Sequence, residues 1–360
     1  MSEIRNGIDP GMNPEAAAAA VRKEEIERKE ANIKQKLRFA VFPEERLMES
    51  YLGKPRWQET FAIFAKNKGA LVSLIIVIAL LLIAILGPIL SQYTYDGINM
   101  AAQNLPPRIP GLERLGIANG MFHGQNMYEV KGVLEEYHWF GTDNLGRDLF
   151  VRICHGTRIS LFIGAISALL NMVIGVVFGL VSGYYGGKLD MFMQRIIEVI
   201  HGIPSLVIVS LLVIVLKPGI SSIIIAMAIS QWTGTARLAR ANTLRLKEME
   251  YVMASRTLGV STPRIMFGSI FPNQLSSIII MTMLSVPGAV FMEAYLSFIG
   301  LGIPNPQASL GSLINDGFQN MLLYPSQMLI PAVIFAILML ALNLIGDGLR
   351  DALDPTQKHV

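Results

Sequence analysis

Few side chains in this 360-residue chain stand where they could do chemistry. Glu198 and His201 lie three apart in an apolar stretch, on one face of a helix. They could line a path for a solute or serve a structural role near a membrane interface. Glu293 lies deeper, in the run FMEAYLSFIGLG, and reads either as a hydrogen-bonded strut between helices or as a pore-lining carboxylate. Asp347, in NLIGDGLRDALDP, is expected to cap a helix end or pair with Arg350. Patterns for catalysis are missing. There is no GxxxxGK[ST] phosphate cradle, no HExxH zinc helix and no GxSxG nucleophile elbow. The histidines (His123, His138, His155, His201, His359) have spacings that suggest no metal cage. The one cysteine, Cys154, excludes an internal disulfide framework and reads as a small apolar filler. The chain is therefore expected to be no enzyme and to bind no cofactor or metal itself.

The elements that hold these residues are set by apolarity. Hydrophobic residues make up 52% of the chain and charged residues 16%, with a mean hydropathy of +0.46, which points to an all-α polytopic membrane protein. A crossing needs about 20 apolar residues. Six stretches qualify: Leu71–Leu90, Ile159–Tyr185, Ile196–Leu216 (which contains Pro204), Ile220–Ala236, Ser276–Phe298 and Met328–Ile345. Of the 30 Lys and Arg residues, 23 fall on the side of the termini, so both termini are expected in the cytoplasm. Arg147, Arg152 and Arg158 oppose that rule, just before the second span on the outer side. The net charge of +3 does not suggest nucleic acid as a partner. The first apolar run begins near residue 70, too deep for a cleavable signal peptide.

Residues 1–60 are expected to be a cytoplasmic extension, partly helical, with pairs such as Glu25–Lys29. Residues 61–355 form the spanning domain and 356–360 a cytoplasmic tail. The outer loop 91–157 is too long for a connector and is expected to fold into a small lobe. In the second span, Gly175, Gly179 and Gly183 recur every four residues and read as a seam for close packing against another helix, one from another chain included.

The segment Glu250–Pro272, EYVMASRTLGVSTPRIMFGSIFP, is polar and basic between two apolar stretches. Tyr251–Leu258 has helical composition and Gly259 is a natural stop. Thr262 can cap a second helix with Pro263 at its first position, and Pro272 marks the return to apolar sequence. A bent helix pair on the inner face is a docking surface.

This segment resembles the cytoplasmic signature loop of ATP-binding-cassette importer permeases, whose pattern runs Glu-Ala-Ala, three residues, Gly, then Ile-x-Leu-Pro. Ala254, Gly259 and Pro272 fit; Met253 replaces the acid, Ser255 the second alanine, and Ser269 and Phe271 also depart. The stretches HWFGTDNLGRDLFVRICHGTRISL (His138–Leu161), GYYGGKLD (Gly183–Asp190), EAYLSFIGLGIPNP (Glu293–Pro306) and GDGLRDALDP (Gly346–Pro355) are similar to those of the dipeptide and oligopeptide C-type subunit, in order, from about Phe61 to Pro355. The resemblance implies a type I importer permease of six spans in the cell membrane. It implies pairing with a second, related permease, with two ATPase subunits that bind ATP and Mg, and with an extracytoplasmic peptide-binding protein. It implies coupling helices within 246–275: Ala254 and Gly259 supporting the docking helix and its bend, Arg256 and Arg264 offering polar contacts. With Met253 in place of the acid, docking relies more on shape and apolar packing. Peptides are the implied cargo, with nickel or another small solute as the alternative. A stand-alone secondary transporter or channel is the rival from another class.

Overall fold

A computed structural model describes residues 56–353 and, before them, Lys29 alone. The chain divides into Met1–Glu59 and Thr60–Val360. The N-terminal helix expected within 1–60 and the tail 356–360 lie outside the described residues, save Lys29 and the start of α1.

In chain order the helices are α1 (Arg56–Lys66), α2 (Lys68–Leu90), α3 (Met127–Val130), α4 (Leu149–Tyr185), α5 (Gly187–His201), α6 (Ser205–Leu216), α7 (Ile220–Ser230), α8 (Thr233–Leu246), α9 (Glu250–Thr257), α10 (Thr262–Ile265), α11 (Phe271–Phe298), α12 (Leu310–Gln319) and α13 (Ser326–Leu353). A two-stranded hairpin, Met121–Phe122 with Gln125–Asn126, precedes α3. Among the described residues, four helical segments are long and apolar enough to cross a membrane alone: α2, α4, Thr262–Phe298 and α13. Helices suit this setting because every backbone N–H and C=O is paired within the segment. α2 turns Val72, Ile75, Ile78, Leu82 and Ile89 outward, as a lipid-facing helix should.

Of the other two expected spans, the third is bent and the fourth is broken. Ile196–Leu216 is not one helix: α5 and α6 meet at an 81° bend across Gly202–Pro204. Pro204 has no N–H to donate and disfavours helical backbone at Ile203. Ile220–Ala236 is divided after Ser230, leaving the 11-residue α7 and then α8. At about 1.5 Å per residue neither α6 nor α7 alone reaches across a core about 30 Å thick, whereas α5 and α6 together are long and apolar enough to form one bent span. α6 and α7 pack on each other and against α4 and α11, burying Ile163, Val209, Val213, Ile223, Met227 and Leu296.

The 37-residue α4, roughly 55 Å long, links the two ends of the molecule. Its outer end is anchored by the GTDNLGRD turn. Asp148 caps α4 by accepting the Val151 N–H at 2.9 Å and holds His138 Nδ1 at 2.7 Å. Asp143 accepts from Arg147 Nε at 2.7 Å and from Arg152 Nη1 at 2.8 Å. Arg152 also meets Asp316 of α12 at 3.6 Å. Burial raises the Asp316 carboxyl above the usual range, while Arg147 opposes that shift. Two of the three arginines that oppose the positive-inside rule are thus buried and paired with acids, so they are not free cationic flanks.

The outer residues 91–148 fold around Tyr128, which is fully buried and donates to Pro106 O at 3.0 Å. Arg108 lies over the Tyr128 and Tyr137 rings, at 5.0 and 4.3 Å from their centroids. Gln327 of α13 ties this region down by donating to Asn104 Oδ1 and Thr142 O.

The glycine seam closes within the chain. Gly175, Gly179 and Gly183 lie against Thr235, Ala236, Ala239, Arg240 and Thr243 of α8, so close that a β-carbon at Gly179 would stand 2.4 Å from Ala236 O. The partner helix is α8 and not a helix of another chain. Contacts advance together along both sequences, so α4 and α8 run parallel.

Candidate functional site: the helical loop at the inner end

At the end of α4 opposite the outer lobe, α8 passes through Lys247–Met249 into α9. The local chemistry closes α9 as expected. Gly259 has φ +75°, open to glycine at little cost. The Val260 N–H donates to Ser255 O and the Leu258 N–H to Ala254 O, satisfying carbonyls at the helix end. The next helix begins at Thr262, with Ser261 in the N-cap position one residue before the expected Thr262; the Ser261 side chain makes no capping hydrogen bond, and Pro263 lies in the first turn. From Met266 to Ile270 the helix widens, and the Phe271 N–H reaches Met266 O, five residues back. Pro272 accounts for this, because its ring would clash with the carbonyl four residues earlier in a regular helix.

The loop has a pinned face and a free one. Val252, Ile265, Met266 and Ile270 are buried against Val176, Leu180, Leu246 and Ile278. Met253, Ala254, Arg264 and Pro272 are exposed, and a β-carbon at Gly259 would meet nothing within 4 Å. Leu258 is 82% exposed and Met253 47%, with Met249, Tyr251 and Phe267 also open. Ser255 is half-buried and donates to Tyr251 O. Arg256 stacks over the Tyr184 ring at 4.8 Å, so part of its role is to hold α9 against α4. The free face is thus apolar at its centre with arginines beside it, the composition of a contact surface.

Beneath the loop lies a clamp whose pairing sequence reading missed. Asp190 of α5 accepts both Arg240 Nε and Nη2 of α8 at 2.6 Å, in the bidentate geometry of a strong ion pair. Ser182 donates to the same carboxylate, and Lys247 Nζ donates to Gly183 O at 3.0 Å. The GYYGGKLD stretch therefore ties α4, α5 and α8 together immediately before the loop. The available signal was an acid and an arginine fifty residues apart, which gives no pairing by itself.

The intramembrane polar candidates do not gather into one site. Glu293 is fully buried and accepts from Ser160 and Ser297 at 2.7 Å each; Ser309 bonds Ser297 at 3.1 Å. Within the chain it joins α4, α11 and the start of α12 as a strut. Glu198 is exposed and paired with Arg195 at 2.6 Å, and His201 is exposed near the α5–α6 bend. Asp347 forms no ion pair with Arg350 among the described residues; Asp351 instead accepts from Asn67 Nδ2 at 3.4 Å. No three His, Cys, Asp or Glu side chains among the described residues could hold a metal ion.

Residues 175–359 match the family described as binding-protein-dependent transport system inner membrane component. Residues 55–107 match the N-terminal transmembrane domain of oligopeptide transport permease C. The chain is 42% identical over 299 residues to the oligopeptide transport system permease protein OppC of Bacillus subtilis, covering 83% of this chain and 89% of that one. It is 41% identical to the dipeptide transport system permease protein DppC of the same organism, with 83% and 85% covered. Against DppC of Lactococcus lactis it is 42% identical over 311 residues, with 83% and 90% covered. With its spanning helices and inner-face loop, this chain belongs to the family of binding-protein-dependent transport system inner membrane components, as a non-catalytic permease subunit in the cell membrane.

Proposed function

We propose that the chain forms half of a membrane passage that imports oligopeptides or dipeptides. A second, related permease supplies the other half. An extracytoplasmic binding protein delivers the peptide, and two ATPase subunits, holding ATP and Mg, dock on the inner face. The observation that carries this reading is the loop Glu250–Pro272: one face anchored in the core, the other presenting Met253, Leu258 and Arg264 outward. An anchored loop with a free apolar face can pass on a push from a partner, because its buried side moves with α4, α8 and α11. The relatives, which are oligopeptide and dipeptide permeases, support a peptide cargo. In this reading α9 and α10 are the coupling helices, Met253, Ala254, Ser255, Arg256, Gly259, Arg264 and Pro272 form the contact, and the inner loop belongs to a permease domain spanning 61–355. ATP-driven closure of the partners shifts the passage between inward- and outward-facing states, and the solute must bind those states differently for net import.

The test is uptake of radiolabelled peptides of two to six residues into proteoliposomes holding the whole complex, with unlabelled peptide and Ni²⁺ as competitors. ATP-dependent uptake that unlabelled peptide suppresses and Ni²⁺ does not is the expected result. Suppression by Ni²⁺ alone would replace the peptide reading.

A further inference from the structure

The exposed face of α8 is unlike the other exposed faces within the spanning region. One side of α8 is buried on α4 through Thr235, Ala236, Ala239 and Thr243. Its other side exposes Gly234, Arg237, Ala241 and Arg245, spaced three to four apart, with no large apolar residue among them. The glycine seam fixes their depth. Arg237 stands level with the stretch between Gly175 and Gly179 of α4, where α4 itself exposes Val173, Ile174 and Val177. Tyr184, Tyr185 and Lys188 mark the inner boundary about eight residues further on, roughly 12 Å along the helix.

A guanidinium at that depth does not face hydrocarbon without a partner, and among the described residues Arg237 has no ion pair. Snorkelling to the inner surface is also disfavoured. Side chains lean toward the helix N-terminus, and α8 runs parallel to α4, so Arg237 leans toward the outer side. The face must therefore meet water or protein. Small residues on either side of Arg237 leave room beside the charge for a solute.

We propose that this face of α8 lines a water-filled passage, and that Arg237 takes a carboxylate of the solute as it moves through. The proposal rests on the importer reading given above. A peptide supplies such a group at its C-terminus, and a guanidinium matches it with two parallel hydrogen bonds.

Because Cys154 is this chain's sole cysteine, Cys154→Ala gives a subunit without thiols, and modification is read on that subunit. Arg237→Cys, Ala241→Cys and Val177→Cys are placed in it, each in the complex with its partner subunits. A membrane-impermeant anionic methanethiosulfonate is expected to modify the first two and not the third, and excess tetra-alanine to slow modification about tenfold. In the unaltered background, Arg237→Lys, which keeps the charge but not the two-bond match, is expected to retain part of the uptake of tetra-alanine. Arg237→Gln should lower its maximal rate about tenfold without changing the half-saturating concentration. Arg237→Cys and Ala241→Cys as unreactive as Val177→Cys would overturn the passage, placing lipid or a partner on this face. Normal uptake by Arg237→Gln would overturn the carboxylate role. Reactive thiols in a complex whose parent takes up no tetra-alanine would sink the peptide reading while leaving the water-lined face standing.

Discussion

Gly259→Pro is expected to leave the subunit folded and in its complex, yet to cut peptide uptake about tenfold or more, the equivalent of roughly 1.4 kcal/mol in the limiting step. ATP hydrolysis should persist and lose its dependence on peptide. The reason is local. Proline holds φ near −65°, whereas Gly259 sits at +75°, and proline also removes the N–H that donates to Arg256 O. The turn between α9 and α10 must then be rebuilt, re-aiming Met253 and Leu258 relative to Arg264. Packing elsewhere is spared, since a side chain at this position meets nothing within 4 Å. Gly259→Ala is the milder companion: it keeps the N–H and pays only left-handed strain, on the order of 1–3 kcal/mol, so uptake should fall less. Paired assays of uptake and ATP hydrolysis on one preparation check this. Normal coupling in Gly259→Pro would remove the bend from the mechanism.

Gly179→Leu should act on folding itself. A β-carbon there would lie 2.4 Å from Ala236 O, 2.7 Å from Ala239 Cβ and 2.8 Å from Arg240 N. Two of those atoms are backbone and cannot swing aside, so α8 must move off α4. Overpacking of a core commonly costs about 1–3 kcal/mol even where side chains can yield, and here the obstacle is main chain. Displacing α8 also separates Arg240 from Asp190, losing a bidentate pair. The expected result is loss of monodisperse subunit in detergent and rapid degradation in membranes. Gly288→Leu, on the exposed face of α11 with nothing within 4 Å, should behave as the parent. Equal thermal survival of the two variants in detergent would contradict the seam.

What the sequence made legible was local or periodic. The stop at Gly259, the start at Pro263 and the glycine repeat each follow from one residue's backbone freedom or from helical spacing. The long apolar helices followed from composition. What stayed hidden depended on contacts distant along the chain. The glycine repeat announced a close neighbour but could not name α8, because any helix with small residues would serve. Glu293 read as strut or pore lining, and Ser160, which makes it a strut within the chain, comes from 133 residues away. Arg147 and Arg152 looked like exceptions to the charge rule until Asp143 and Asp316 were found against them. Pro204 was visible within the third apolar run, yet run length alone argued for a straight crossing there. Its missing N–H decided the matter in favour of a bend.

The free face of α9 and α10 is expected to be where the ATPase docks. Met253→Cys and Leu258→Cys, each in a Cys154→Ala background, test it by cross-linking within the intact complex with a short bifunctional thiol–amine reagent. Both should yield a product containing an ATPase subunit, while Met121→Cys, exposed in the outer lobe, should not. If neither inner-loop variant cross-links to an ATPase subunit in a complex that retains one and still hydrolyses ATP, the docking assignment is wrong.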